Sequence, residues 1–310
     1  MQQTTNSILM IRPINFRMNE QTAVNNYFQE NIDLQNAEIN RKAQEEFDNY
    51  VFKLKSYGVE VLVIADTDTF DTPDAIFPNN WISFHADGTI GLYPMFAENR
   101  RLERRDDILT EIEEKGFLIE NVVDYTAAEF EDFFLEGTGS IILDRVNKKA
   151  YCALSVRADE DLFIEFCEDF EYTPVVFMAN QTVKEKRASI YHTNVMMCIA
   201  ETFAIICLET IDDKSERKNV LKHLKEDGKQ VIEITELQMH NFAGNMLQVR
   251  GAKNELFLVM STAAHISLTQ SQIAKINNHC EIIFSSLDTI ESCGGGSARC
   301  MMAEVFLPKI

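Results

Sequence analysis

The feature that most constrains this chain is a pattern that returns along its whole length. Two short β-branched or aromatic runs are joined by a polar turn, a helical stretch follows, and one further strand closes the unit. The paired runs are residues 81–84 with 90–95, 140–143 with 151–154, 194–199 with 204–208, and 245–249 with 256–260. Asp87-Gly88 and Asn147-Lys148 sit where hairpin turns belong. Helices are predicted over 100–115, 159–170, 215–226 and 267–278, and the closing strands over 117–123, 173–178, 229–234 and 281–284. Gly116 and Gly228 fall at helix-to-strand junctions, where a left-handed C-cap is expected, and Ser267 to Gln270 has capping-box spacing. A fifth copy forms if residues 300–306 pair with 8–11, followed by a long helix over 20–56 and a strand over 59–64. Units that each leave one face uncovered bury it by stacking radially, and pairing the last on the first removes the free edge. The prediction is an α/β fold, a five-bladed α/β propeller that uses residues 1–310 as a single catalytic domain.

Composition agrees with a folded globule: 45% of residues are hydrophobic and 25% charged. With 29 Lys and Arg against 49 Asp and Glu, the formal charge of −20 argues against nucleic acid as a partner, since phosphate binding needs cationic side chains. No apolar run approaches the roughly 18–20 residues of a membrane span. The opening residues Met1 to Ser7 lack the charged-then-apolar layout of a leader, so the seven Cys are read as free thiols in a reducing, cytoplasmic setting. A small molecule is the expected partner, and a homo-oligomer is compatible with the sequence.

The repeat also locates the chemistry. Asn80, Ser140, Asn194, Asn245 and Cys300 open the first strand of their units and should converge at one end of the pseudo-axis. Convergent polar groups at a barrel mouth are the default small-molecule site. Cys300 follows Gly294-Gly-Gly-Ser-Ala-Arg299, a loop that permits close backbone approach, and is the candidate nucleophile. Cys293 on that loop is its rival, whereas Cys152, Cys198 and Cys207 lie inside apolar strands and read as structural. His192, just before Asn194, is the one His that the repeat sets beside Cys300, and can act as its proton acceptor and donor. Glu136 can orient that His, and Arg157 can hold a substrate carboxylate bidentately. The cluster Arg100, Arg101, Arg104 and Arg105, accompanied by acids, reads mostly as a solvated helix face. Asp66, Asp68, Asp71 and Asp74 miss calcium-loop spacing, and no metal or cofactor motif is found, so no cofactor is implied.

With these residues in place, the chain resembles the guanidino-group-modifying enzymes, the pentein superfamily of arginine deiminases, dimethylarginine hydrolases and amidinotransferases. The resemblance runs through Ile11-Arg-Pro, Pro73-Asp-Ala-Ile-Phe-Pro-Asn-Asn80, Pro94-Met-Phe-Ala-Glu-Asn-Arg100, Glu136-Gly-Thr-Gly, His192-Thr-Asn, Ala243-Gly-Asn-Met and Gly-Gly-Ser-Ala-Arg-Cys300-Met. It implies Cys300 as nucleophile, His192 as general acid/base and Glu136 as its partner, with Arg157 on the substrate carboxylate. The likeness is strongest to the citrulline-utilisation hydrolases, or citrulline ureidases.

One departure bears on the substrate. Deiminases of this superfamily hold the guanidinium with carboxylates where this chain has Asn80 and Asn194. Losing them forfeits charge-assisted hydrogen bonds of roughly 1.5–3 kcal/mol each. An amide offers one donor and one acceptor, which complements a neutral ureido group. The expected reaction is hydrolysis of a ureido or guanidino C–N bond, with citrulline giving ornithine, ammonia and carbon dioxide through a covalent cysteine intermediate. An arginine deiminase or amidinotransferase, or a non-catalytic binding protein on the same scaffold, are the alternatives.

Overall fold

The structure is a computed structural model that describes residues 2–310. Five three-stranded sheets share one plan, in which the first two strands run antiparallel and the third joins the middle one in parallel. In chain order their strands are Ile82–Phe84, Thr89–Leu92 and Asn121–Asp124; Ile141–Asp144, Lys149–Leu154 and Thr173–Met178; Met197–Ile199, Phe203–Ile206 and Gln230–Glu233; Leu247–Arg250, Leu256–Ser261 and Glu281–Ser285. The fifth joins the two ends of the chain: Ala303–Glu304 pairs antiparallel with Ser7–Arg12, in register Ile8 to Glu304, and Glu60–Ala65 lies parallel on the other side. First strands of neighbouring sheets touch, as Ala303–Glu304 does Ile82–Phe84, and Met197–Ile199 does both Ile141–Asp144 and Leu247–Arg250.

Parallel strands need a crossover, and a helix supplies it in every unit. These helices are Asn36–Ser56, Asp106–Glu114, Glu160–Asp169, Lys214–Glu226 and Gln270–Asn277. Each lays an apolar stripe on its sheet; Ile39, Ala43, Phe47, Tyr50, Val51 and Leu54 form that of the longest. Gly116 and Gly228 take the expected left-handed conformation, at φ of 87° and 71°.

Two expected helices are interrupted. The stretch over 20–56 is a single turn, Glu20–Ala23, then irregular chain up to Asn36–Ser56. The stretch over 100–115 divides into Glu98–Arg101 and Asp106–Glu114. The helix expected over 267–278 is Gln270–Asn277, preceded by an unexpected helix Thr262–Ser267, and its capping box is Thr269 with Gln272 and not the pair from Ser267. The hairpin Asn180–Val183 with Lys186–Ser189 is an addition to the repeat. All seven Cys are free and buried, and no described helix is long and apolar enough to cross a membrane.

Candidate active site

The five positions singled out by the repeat do not open strands. Each lies one to three residues earlier, in the short turn that feeds its strand: Asn80 and Asn194 in 3-10 turns, Ser140 at the end of Gly137–Ser140, Asn245 and Cys300 in turns before Leu247 and Ala303. Such turns leave side chains off the sheet ladder and free to converge. Cys300 Sγ receives Nδ2 of Asn245 at 3.1 Å and Nδ2 of Asn194 at 3.4 Å. Asn245 is held in turn by its own Oδ1, which accepts from the Arg299 backbone N–H at 3.0 Å. Asn194 Oδ1 is buried without a partner among the described residues. Ser140 is not part of this group; its hydroxyl donates to the Arg157 carbonyl at 2.7 Å.

Cys300, His192, Asn80 and Arg157 line one small cavity of about 20 Å3, together with Asp74 and Arg100. Glu136 stands behind His192 and is completely buried. Its Oε2 is 2.7 Å from His192 Nε2 and 3.5 Å from Arg157 Nη1, and its Oε1 accepts from the Phe96 backbone at 3.0 Å. Burial alone would raise the Glu136 carboxyl, but Arg157 and His192 outweigh it and hold the group well below the usual carboxylate range. An ionised carboxylate only accepts, so the imidazole proton belongs on Nε2 and Nδ1 is the basic face. Burial pulls His192 down to about 4, against the opposing pull of Glu136. Gly139 makes room for this arrangement: a Cβ there would stand 2.9 Å from both Cε1 and Nδ1 of His192 and closer still to Asn80 Nδ2.

The cavity wall also carries two residues that the sequence reading places on the surface. Asp74 is buried, with Oδ2 taken by Asn19 at 2.8 Å and Thr22 at 3.1 Å, and with Oδ1 unpaired among the described residues. Read with Asp66, Asp68 and Asp71 it looked like a loop acid; the Pro73-Asp-Ala-Ile-Phe context, running into a buried apolar pair, was the available signal. Arg100 is also buried, which corrects the solvated-face reading for this member of its cluster. Its partner Glu103 lies three residues on, both Nε and Nη2 bonding at 2.9 Å, and its Nη1 reaches Asn80 Oδ1 at 2.8 Å. Residues 24–35, expected as helix, instead pass over the cavity. Asn25 and the Thr22 carbonyl accept from Arg157, while Asn26 Nδ2 reaches the Gly294 carbonyl at 3.3 Å. Arg157 thus already gives Nε and Nη2 to this segment, and its guanidinium lies over the rings of Tyr191 and Phe96.

Cys293, the rival thiol, lines a different and larger cavity of about 370 Å3 beside Asn19 and Asn36, away from His192. The polar groups there are spent on one another, Arg17 with Asp71 at 2.7 Å and Asn19 with Asn99 at 2.9 Å. Burial pushes the Cys293 thiol up to about 11. No group of His, Cys, Asp and Glu suited to a metal occurs among the described residues.

Residues 12–307 match the family described as N,N dimethylarginine dimethylhydrolase, eukaryotic. The chain belongs to this family. No curated protein matches the sequence. Among solved structures, ArgZ, an arginine dihydrolase from the ornithine-ammonia cycle in cyanobacteria, superposes with a TM-score of 0.75 at 18% identity, over 98% of this chain and 41% of that one. The chain therefore spans about two fifths of that relative. The N-terminal domain of ArgZ with a covalently bound reaction intermediate gives 0.71 at 17%, over 97% and 99%. A dimethylarginine dimethylaminohydrolase variant, as its adduct with S-methyl-L-thiocitrulline, gives 0.65 at 14%, over 96% and 98%. At these identities the likenesses establish a shared fold, that of the pentein guanidino-modifying enzymes.

Proposed function

We propose that this member of the family is a cysteine hydrolase of a ureido C–N bond, with citrulline as substrate, working as one five-bladed α/β propeller whose sheets surround the site. The observation that carries the substrate is the pair of idle amide atoms. Nδ2 of Asn80 is a buried donor and Oδ1 of Asn194 a buried acceptor, both without partners among the described residues. A ureido group brings the complements, a carbonyl oxygen and an NH2. A guanidinium brings donors only, and would leave Asn80 Nδ2 facing another N–H. Asp74 Oδ1 and the remaining N–H of Arg157 Nη1 suit the α-ammonium and α-carboxylate of an amino acid.

In the first step His192 Nδ1 takes the Cys300 thiol proton, and Sγ attacks the ureido carbon. Asn194 and Asn245 stabilise the sulfur by donating to it. His192 passes the proton to the departing amine as the C–N bond breaks, leaving a carbamoyl group on sulfur and releasing ornithine. Water deprotonated by His192 then attacks that carbon and frees Cys300, and the carbamate falls to ammonia and carbon dioxide. Glu136 keeps the imidazole in one tautomer and balances its charge at each transfer.

Arginine is the second reading, favoured by a specific finding: the fold-sharing ArgZ is named an arginine dihydrolase, and AgrE has been seen with L-arginine and with ornithine. Products from citrulline and arginine, measured side by side, decide between them. Cys300→Ala should lower turnover of either by about 10⁴-fold or more, with thermal stability kept. Turnover retained in that variant and lost in Cys293→Ala would move the chemistry to the other thiol.

A further inference from the structure

We infer that Arg100 is a specificity-determining positioning residue: it locks the Asn80 amide with its oxygen outward and its N–H toward the substrate. This rests on the ureido reading above. An amide is nearly symmetric in shape, so a buried Asn can offer the cavity either edge, and the two edges have opposite chemistry. With nitrogen inward it selects a carbonyl oxygen; with oxygen inward it accepts from an amidine or guanidine N–H. Gly139, which has no side chain, and the ring of His192 stand near the other edge, and Asn80 Nδ2 makes no hydrogen bond to either.

Arg100 does. A guanidinium carries donors and no acceptor, so the edge of Asn80 that lies 2.8 Å from Nη1 must be Oδ1. Nδ2 is left buried and without a partner among the described residues, on a side chain that lines the cavity. The lock is itself held rigid. Nε and Nη2 form a two-point fork on Glu103 at 2.9 Å each, and Nη2 also donates to the Phe77 carbonyl at 3.1 Å, in the turn that leads into Asn80. Four of the five guanidinium N–H groups are thereby engaged. Both charged partners are nearly solvent-free, at 3% and 1% side-chain exposure. A planar fork of this kind fixes a direction, which a point charge does not. Arg100 thus acts on the orientation of Asn80 through the direction of its fork.

The test is the ratio of kcat/KM for citrulline to that for arginine, in a cycle of variants. Because removing Arg100 alone strands Glu103 in the interior, the variant is the neutral pair Arg100→Gln with Glu103→Gln. It should lower the citrulline-to-arginine ratio by at least tenfold. In the Asn80→Asp background the two edges of the side chain are equivalent, so the same pair should leave the ratio within about twofold. A purely structural role would lower kcat on both substrates alike in both backgrounds and would overturn the inference. If the neutral pair does not fold, Arg100→Lys, which keeps a donor within reach of Asn80 but loses the fork, should lower the ratio by an intermediate factor; a ratio unchanged there would overturn it as well. Wild-type protein that prefers arginine would refute the ureido reading separately, since the dependence of the ratio on Arg100 is read whichever substrate leads.

Discussion

Two buried glutamates flank the site and have opposite fates. Glu136 sits behind His192, with Arg157 and the imidazole for neighbours, and stays ionised well below the usual carboxylate range. Glu291 lies under the glycine loop in the helix Asp288–Gly294, where burial raises it to about 7 and only the hydroxyls of Ser261 and Ser297 oppose the rise. Hydroxyl donors soften burial; cations reverse it. One carboxyl can therefore hold a proton on its neighbour through a catalytic cycle, while the other is a part-neutral hydrogen-bonding group supporting the loop, its Oε1 receiving Ser297 at 2.5 Å.

Glu136→Gln should break this comparison most forcibly. The amide keeps the shape but cannot stabilise the imidazolium, and kcat should fall by about 10²–10⁴-fold. Glu291→Gln, which keeps a group able to meet both hydroxyls, should cost less than about tenfold. Steady-state ammonia release measures both, and equal losses would mean that the two carboxyls have the same role.

A second contrast is in pH. His192 is held at about 4, so the acid limb of kcat/KM should fall near pH 4 and not near 6.5, because the proposed first step uses the neutral imidazole as base. Glu136 raises that value against burial, so Glu136→Gln should move the limb lower still. Glu291→Gln should leave it in place. A wild-type limb near 6.5 would show His192 to be more hydrated than its burial implies.

What could be read from sequence divides along physical lines. The five-unit plan was legible because hairpin turns and two-residue alternation are local, and even the pairing of the two chain ends followed from it, with Ile8 opposite Glu304. The convergence of Asn194, Asn245 and Cys300 was legible from the repeat spacing. The break at residues 24–35 was not, since nothing local stops the helix; its cause is the tertiary contacts of Asn25 with Arg157 and of Asn26 with Gly294. Arg100 was misread for the same kind of reason. Its i,i+3 acid, Glu103, suits an exposed helix as well as a buried fork, and only the proximity of Asn80 and Phe77 distinguishes the two. Asp74 differs from Asp68 and Asp71 in burial, and the one trace of this in the sequence is its place in Pro73-Asp-Ala-Ile-Phe.

The smallest effect gives the sharpest test of the comparison, because the two glutamates should bend the stability curve in opposite senses. Glu291 has a folded value of about 7 against an unfolded 4.5. Its contribution is fully present below pH 4.5 and is lost as pH rises through 7, up to about 3 kcal/mol. Glu136, depressed on folding, contributes above its unfolded value and loses that contribution as pH falls below it. In thermal melts, the advantage of wild type over Glu291→Gln should therefore shrink by a few degrees between pH 4.5 and 7.5, whereas its advantage over Glu136→Gln should shrink only below pH 4.5. Parallel curves for Glu291→Gln and wild type across that range would mean that this carboxyl is ionised in the folded protein, and that some cation or water reaches it under the glycine loop.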